Sequence, residues 1–305
     1  MTGIKLENKK QGTSKKLLVL ALVSGLAAVG VFFLPLEKWK YWTFDYILFI
    51  SVILIVPPIL ILEQRRYLRG LVLLFSLAYF GFLQASCPRL PGALELVLLH
   101  LTDKNPIAMH VVKVSVVLGT ALLFGRYYCG WICPKGTIQD YLYRPELKIK
   151  VPERLDRILK NGKYLMLILL VSAPLLYNYQ LFRKIGPFKV IFNLDGETVL
   201  IVFLAVVLVS SIFIERPYCR YFCPEGGLLA LVSLLAPHKI RVNINRCTAC
   251  NVCSKVCPTD AITARKKEIP KIAASECIFC MKCVDACKFS GMIYDSKSVL
   301  KGGGG

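Results

Sequence analysis

Long apolar runs separated by short charged connections dominate the chain. Six of these runs approach the ~20 residues that an α-helix needs to cross the hydrocarbon core of a bilayer. After residue 238 the pattern changes to closely spaced cysteines among small and β-branched side chains. The sequence therefore predicts a membrane all-α domain of six transmembrane helices and a small C-terminal domain, with spans near 16–35, 43–62, 70–86, 107–125, 163–181 and 197–215.

Composition supports a membrane protein, and the distribution of charge orients it. Hydrophobic residues make up 55% of the chain, charged residues 19%, and the net charge is +20. Lys and Arg collect in cytoplasmic connections. Alternate connections hold seventeen and seven of them, and the richer set includes the N-terminal tail. We therefore expect both termini in the cytoplasm, and attribute the positive charge to membrane topology rather than to nucleic-acid binding.

Eight of the thirteen cysteines form two identical runs that lie thirty residues apart. In bacterial ferredoxins such a run supplies three ligands to one cubane cluster and its fourth cysteine to the other cluster. Lys288 stands where the first run has Pro258, which should weaken the turn without removing a ligand. The predicted ligand sets for two [4Fe–4S] clusters are Cys247, Cys250, Cys253 with Cys287, and Cys277, Cys280, Cys283 with Cys257.

Two features accompany these runs. Residues 261–263 and 292–294 are predicted to be short strands, which makes the C-terminal domain an α+β bacterial-type 2[4Fe–4S] ferredoxin domain. A zinc knuckle also uses Cys-x2-Cys pairs, but it does not require two identical four-cysteine runs.

The sequence is thus divided into a basic cytoplasmic tail (1–15), the membrane domain (16–238), the ferredoxin-like domain (239–298) and a tail or cloning remnant (299–305).

A second repeat, with an offset of ninety residues, lies at the cytoplasmic edge of the predicted membrane domain. The segment 126–134 returns as 216–224, and each copy contains Cys-x3-Cys-Pro: Cys129 with Cys133, and Cys219 with Cys223. Positions four apart share a helix face, so two such pairs could hold one metal centre. Three interpretations stay open: a third Fe–S centre, a Cu(I) or thiol-exchange site, and small buried hydrophobic residues. The shared Arg, Tyr, Pro and Gly context disfavours the last.

This combination resembles the NapH/NosR/CcoG-type family of membrane polyferredoxins over nearly the whole chain, and most nearly its compact NapH-like members. The resemblance implies a prokaryotic cytoplasmic-membrane protein that transfers electrons, with a quinol-linked dehydrogenase role in NapH-like members and copper reduction in CcoG-like members. No long domain precedes the spans, so the NosR-type flavin is not implied. No G-x-G-x-x-G or P-loop supports a nicotinamide or ATP site.

A quinone site requires a lipid-accessible pocket with a proton-accepting group. His110 and Lys113, one turn apart near the outer end of the fourth span, are the best candidates because ionisable residues within spans are costly. The alternative is that both side chains extend to the interface.

The sequence therefore predicts a membrane-bound iron–sulfur protein that passes electrons between the quinol pool and a redox partner, either another subunit or a soluble carrier. One alternative is a copper-handling or cupric-reducing assembly protein that uses the Cys-x3-Cys-Pro thiolates. Another is a structural or regulatory subunit of a membrane redox complex. An oxidoreductase subunit linked to quinol is compatible with the sequence, although no catalytic residue can be named.

Overall fold

The computed structural model describes residues 48–54, 69–83, 90–99, 108–149, 151–194, 196–264 and 268–295. The chain divides into two compact units, Met1–Gly70 and Leu71–Gly305. Residues 48–54 of the first unit are helical, and helix α1 begins at Arg69. The predicted span 16–35 lies outside the described residues.

The helices from Arg69 onward have the following bounds. Helix α1 (Arg69–Ser76) continues as a π-helical segment, Leu77–Leu83. The others are α2 (Leu90–Leu99), α3 (Ala108–Phe124), α4 (Tyr127–Trp131), α5 (Pro134–Leu142), α6 (Glu153–Tyr177), α7 (Leu181–Ile185), α8 (Lys189–Asn193), α9 (Thr198–Phe213), α10 (Pro217–Tyr221) and α11 (Pro224–Ser233). A mostly helical fold is therefore confirmed.

Among the described residues, α6 is the one helix long and apolar enough to cross a membrane, while α2, α3, α9 and the segment Arg69–Leu83 are shorter apolar helices. Helices α3 and α9 coincide closely with the predicted spans 107–125 and 197–215. Helix α6 begins earlier than its predicted span because Glu153 and Asp156 occupy the first turn, where carboxylates favour the positive end of the helix dipole. The six spans remain a prediction.

The connection from α6 to α9 folds back into the helical core. Asn178 adopts a left-handed conformation and ends α6. The following short helices carry Phe188 and Phe192 into an apolar cluster with Tyr218 and Cys223. The rings of Phe188 and Tyr218 meet edge to face at 5.1 Å between centroids. This connection therefore forms part of the wall around one Cys-x3-Cys-Pro copy.

The C-terminal region consists of short strands and single helical turns. Strand β1 (Lys239–Val242) pairs antiparallel with β4 (Met292–Asp295), and β2 (Ile262–Thr263) pairs antiparallel with β3 (Lys271–Ile272). Helices α12 (Val252–Lys255) and α13 (Lys282–Asp285) each follow a cysteine loop. The strands predicted after each cysteine run are confirmed as β2 and β4.

Both cysteine loops of this region share one backbone path. Ala249 and Asn251 have positive φ angles of 51° and 61°. Phe279 and Met281, thirty residues later, have φ angles of 56° and 65°. Left-handed residues turn the chain sharply, which brings cysteines three apart to one side of each loop. The thirty-residue sequence repeat is therefore also a structural repeat.

Candidate metal centres

Each Cys-x3-Cys-Pro copy folds into the same helix–cysteine–helix unit. The first cysteine, Cys129 or Cys219, lies within the short helix α4 or α10. The second cysteine, Cys133 or Cys223, is the N-cap of α5 or α11, and proline occupies the first helical position after it. Proline suits that position because its φ is already helical. All four cysteines are buried.

Arg216 ties the second copy to the first. Its guanidinium is fully buried, donates to the carbonyl oxygen of Cys129, and forms a bidentate pair with Asp140 at 2.6 and 2.7 Å. The guanidinium also approaches Gly136 so closely that a Cβ there would lie 2.9 Å from its nitrogen. A side chain at this position would have to displace the buried guanidinium.

Arg126 occupies the equivalent position of the first copy and crosses in the opposite direction. A Cβ on Gly226 of the second copy would lie 3.0 Å from the guanidinium of Arg126. The same side chain donates to the carbonyl oxygen of Ser275 at 2.8 Å. Each arginine therefore reaches into the other copy, which makes the two copies a pseudosymmetric unit.

Two more polar contacts join the copies, and sequence reasoning missed both. Lys135 and Glu225 occupy equivalent positions of the repeat and form a buried ion pair at 3.1 Å. Gln139 donates to the Sγ of Cys219 at 3.2 Å. The sequence contained a signal for the ion pair, because the ninety-residue offset aligns Lys135 with Glu225. No neighbouring residue indicated that Gln139 would contact Cys219.

The four buried thiols lie close enough to interact electrostatically. Electrostatic interactions link Cys219 with both Cys129 and Cys133, and link Cys223 with both Cys219 and Cys133. Burial raises the pKa of Cys129 to about 11 and that of Cys219 to about 12. The thiols would be protonated at neutral pH without a metal, so metal binding must release protons.

This donor set fits a cubane cluster in the number and type of its ligands. A cubane cluster takes one thiolate at each of its four irons. Four converging buried thiols provide that number of ligands.

Two cavities gather the eight remaining clustered cysteines into two sets of four. In each set, three cysteines come from one loop and the fourth comes from the other run. One cavity is lined by Cys247, Cys250, Cys253 and Cys287, and the other by Cys257, Cys277, Cys280 and Cys283. The structure thus brings together the residues of each predicted set, while their role as cluster ligands remains a prediction.

The turns after the two runs are alike, although Lys288 replaces the proline. The amide of Ala261 donates to the Sγ of Cys257 at 3.3 Å, and that of Gly291 donates to the Sγ of Cys287 at 3.2 Å. The expected weakening of the second turn is not visible in this geometry. Amide donors to the sulfurs are among the features that set cluster potentials.

The loop from Cys277 to Cys283 contacts helix α4 of the first Cys-x3-Cys-Pro copy directly. The indole N–H of Trp131 donates to the carbonyl oxygen of Phe279 at 2.9 Å. A Cβ at Gly130 would overlap the carbonyl oxygen of Ile278 and would lie 3.6 Å from the Cα of Cys280. Glycine is therefore the residue that allows this loop to approach the four-thiol site.

Buried and partly buried ion pairs fasten the ferredoxin-like region beside this contact. Glu276 pairs with Arg126 at 3.4 Å and also with Lys163. Burial alone would raise the pKa of Glu276, but these two cations outweigh it and lower the pKa below its usual value. Arg220 pairs with Asp260 at 2.7 Å. Removing one member of such a buried network leaves an uncompensated charge, which is costly.

His238 packs at the junction between the helices and β1. Its ring stacks on Phe124 and on Tyr294, with centroids 4.9 and 5.7 Å apart. The hydroxyl of Tyr294 lies 2.6 Å from Nδ1 of the imidazole. Burial lowers the pKa of His238, so the ring is neutral at pH 7 and Nδ1 can accept this hydrogen bond.

We expect this junction to weaken in acid. Because the folded protein holds His238 at a lowered pKa, the unfolded chain binds its proton more readily, and stability falls as pH drops below ~6.5. At pH 7.5, Tyr294→Phe should cost about 1 kcal/mol of stability, the usual worth of one hydrogen bond. Thermal unfolding of the intact protein between pH 7.5 and 5.5 measures both effects. An unchanged pH slope in His238→Phe would contradict the assignment.

A large cavity of about 890 Å³ lies against the second Cys-x3-Cys-Pro copy. Tyr218 and Pro224, which flank the cysteines of that copy, form part of its wall, together with Lys135. His110 lines the same cavity, whereas Lys113 is not among the lining residues that the structure describes. The pairing of His110 with Lys113 as a quinone site remains a prediction.

Comparisons with known proteins agree with this arrangement. A family model described as a 4Fe-4S binding domain matches residues 108–152 and 197–243, so that each match contains one Cys-x3-Cys-Pro copy. A second model, a 4Fe-4S dicluster domain, matches residues 239–288. An uncharacterized protein of Methanocaldococcus jannaschii is 30% identical over 60% of this chain and 69% of its own length.

Two further relatives have descriptive names. The ferredoxin-type protein NapH of Haemophilus influenzae is 25% identical over 82% of this chain and 90% of its own length. The regulatory protein NosR of Pseudomonas aeruginosa is 32% identical over 53% of this chain and 24% of its own length. The chain belongs to the NapH/NosR-type polyferredoxin family. This polyferredoxin accordingly has an iron–sulfur electron-transfer role and requires redox partners.

The polyferredoxin also contains a buried carboxylate that sequence reasoning missed. Glu95 is fully buried in the apolar helix α2 and accepts a hydrogen bond from the amide of Phe182 at 2.7 Å. An acidic residue inside an apolar run was the available signal. Its contact positions α7 and, through it, the folded-back connection that lines the large cavity.

Proposed function

We propose that this polyferredoxin carries electrons between the membrane quinol pool and a redox partner, through a third cluster at the Cys-x3-Cys-Pro site. One observation carries the proposal: the large cavity adjoins one copy of the four-thiol site, and the ferredoxin-like loop contacts the other copy. The large cavity reaches Tyr218 and Pro224 beside Cys219 and Cys223. On the first copy, the ferredoxin-like loop meets Gly130, next to Cys129.

Iron–sulfur clusters, when bound, accept and release single electrons. The chain supports a cluster at Cys129, Cys133, Cys219 and Cys223 in two ways. It supplies four converging thiols, and it supplies N–H donors to sulfur, since the amide of Gly226 lies 3.4 Å from the Sγ of Cys223. The match of a 4Fe-4S binding domain to both copies points in the same direction.

The exposure of the cysteines to solvent indicates the order in which electrons would pass through the three cluster sites. The set with Cys280 adjoins α4, so we place it next to the four-thiol site. The other set includes Cys250, which is exposed to solvent. We therefore place the outer set last, where a redox subunit or a soluble carrier can come close to it.

The membrane location is supported by apolar side chains that are exposed on two helices of the part of the chain that the structure describes. Leu165 and Ile168 of α6 are 57% and 62% exposed, and Val199 and Val206 of α9 are 75% and 60% exposed. Exposed apolar patches of this kind mark lipid or protein contacts. With the asymmetry of Lys and Arg, we place both termini on the cytoplasmic side.

The direct test uses the intact protein, purified anaerobically and mixed with a short-chain quinol. Quinol oxidation releases both hydroxyl protons and both electrons, and each electron leaves singly. Absorbance near the Fe–S bands should fall as quinol is oxidised, and a soluble oxidant should restore it. If quinol leaves the clusters oxidised while dithionite reduces them, the quinol role is wrong.

His110 offers a residue-level test of the cavity. The substitution His110→Phe removes a polar group from the lining and should raise the quinol concentration for half-maximal cluster reduction about fivefold, because one hydrogen bond contributes ~1 kcal/mol. Rapid-mixing kinetics at a series of quinol concentrations measures this. Lys113→Met is the matched control, because Lys113 does not line the cavity. Equal effects of the two substitutions would remove the cavity from the proposal.

A further inference from the structure

Gln139 is held in one orientation at the four-thiol site. The side chain is fully buried in α5. Its Oε1 accepts a hydrogen bond from the amide of Tyr218 at 3.0 Å. Its Nε2 donates to the carbonyl oxygen of Lys135 at 2.9 Å and to the Sγ of Cys219 at 3.2 Å. A flipped amide would place an NH2 group against the N–H of Tyr218 and an oxygen against a carbonyl and a sulfur.

The internal repeat makes this contact unequal between the two halves of the site. Position 229, ninety residues after Gln139, is occupied by Leu229. Leu229 is also fully buried, but an aliphatic side chain cannot donate to sulfur. By the ninety-residue pseudosymmetry, Leu229 occupies the position equivalent to that from which Gln139 donates to Cys219, and the equivalent sulfur is that of Cys129. One half of the site therefore has a side-chain donor where its counterpart has none.

We propose that Gln139 raises the reduction potential of the four-thiol centre, and makes its two halves electronically unequal, by donating its amide N–H to the Sγ of Cys219. The inference rests on the proposed cluster at these four cysteines. Reduction adds negative charge to the sulfurs, and a hydrogen bond stabilises the more negative state, so hydrogen bonds to sulfur shift cluster potentials. Gln139 acts through Cys219 and is a positioning residue.

The experiment is a redox titration of the full-length protein, followed by electron paramagnetic resonance. The variant Gln139→Leu copies the other half of the repeat and should lower the midpoint potential of the four-thiol centre. We expect about a tenfold lower ratio of reduced to oxidised centre at a fixed ambient potential, equivalent to about 59 mV for one electron. The ferredoxin-type signals, which do not involve Gln139, should keep their potentials.

Two further variants separate the hydrogen bond from packing. Gln139→Glu keeps the size of the side chain and the acceptor for Tyr218, but places a carboxylate oxygen against sulfur, so it should also lower the potential. Leu229→Gln introduces a donor in the other half and should raise the potential. The double exchange should return the potential toward that of the parent protein while altering the shape of the signal.

The outcomes distinguish this inference from the proposed function beneath it. An unchanged potential in both Gln139 variants, with the four-thiol signal intact, would overturn the inference and leave the third cluster standing. Absence of any signal beyond the two ferredoxin-type clusters in the parent protein would overturn both. A lowered potential in Gln139→Leu that Leu229→Gln offsets supports the role of the hydrogen bond.

Discussion

Replacing Cys129 and Cys219 together with serine should remove about four of about twelve irons per chain and abolish reduction of the remaining clusters by quinol. Each cubane cluster needs four thiolates, so the four-thiol site cannot keep its cluster after losing one ligand from each copy. Dithionite should still reduce the ferredoxin-type clusters, because their eight cysteines are untouched. Iron and acid-labile sulfide analysis on anaerobically purified protein, followed by quinol titration, measures both effects.

The matched control is Cys87→Ser, which changes the cysteine outside the three clustered sets and should leave iron content and quinol reactivity unchanged. Three results would contradict the prediction in different ways. Eight irons with one copper in the parent protein would favour copper handling by these thiolates. Eight irons and no other metal would favour thiol chemistry or a structural role. A double variant that retains all its iron would assign the third cluster to other residues.

The two repeats explain why so much of the site could be predicted from the sequence. The thirty-residue offset predicts two equal cysteine loops, and the positive φ angles at Ala249 and Phe279 are its physical counterpart. The ninety-residue offset predicts two equal membrane-edge units, which appear as α4 with α5 and α10 with α11. Such repeats can be read from the sequence because turn geometry depends on residues that are close in sequence.

Contacts between distant segments could not be predicted in this way. Gln139 reaches Cys219, eighty positions away, and no local property of a glutamine in an amphipathic helix identifies that sulfur. The same holds for the cavity, whose wall combines His110 with Phe188 only because the connection after α6 folds back. Lys113 shares a helix turn with His110, yet a helix turn does not determine which of its residues faces a cavity.

The second large effect is expected from a substitution at Gly130, where the ferredoxin-like loop contacts α4. In Gly130→Ala the new methyl group would overlap the carbonyl oxygen of Ile278, and this backbone atom cannot rotate away as a flexible side chain can. Overpacking of this kind costs about 1–3 kcal/mol, which corresponds to an about 5- to 150-fold smaller docked population. Because electron transfer weakens steeply with separation, we expect quinol-driven reduction of the ferredoxin-type clusters to slow by a similar factor.

Gly119→Ala provides the matched control, because a Cβ at Gly119 meets no atom within 4 Å, and alanine favours a helix interior more than glycine does. Rapid mixing with quinol should therefore give parental rates for Gly119→Ala and slow rates for Gly130→Ala, while iron content stays equal in both. Dithionite, which reaches the exposed cluster directly, should reduce both variants at the same rate. Parental quinol rates in Gly130→Ala would mean that electrons reach the ferredoxin-type clusters by another route than the loop resting on α4.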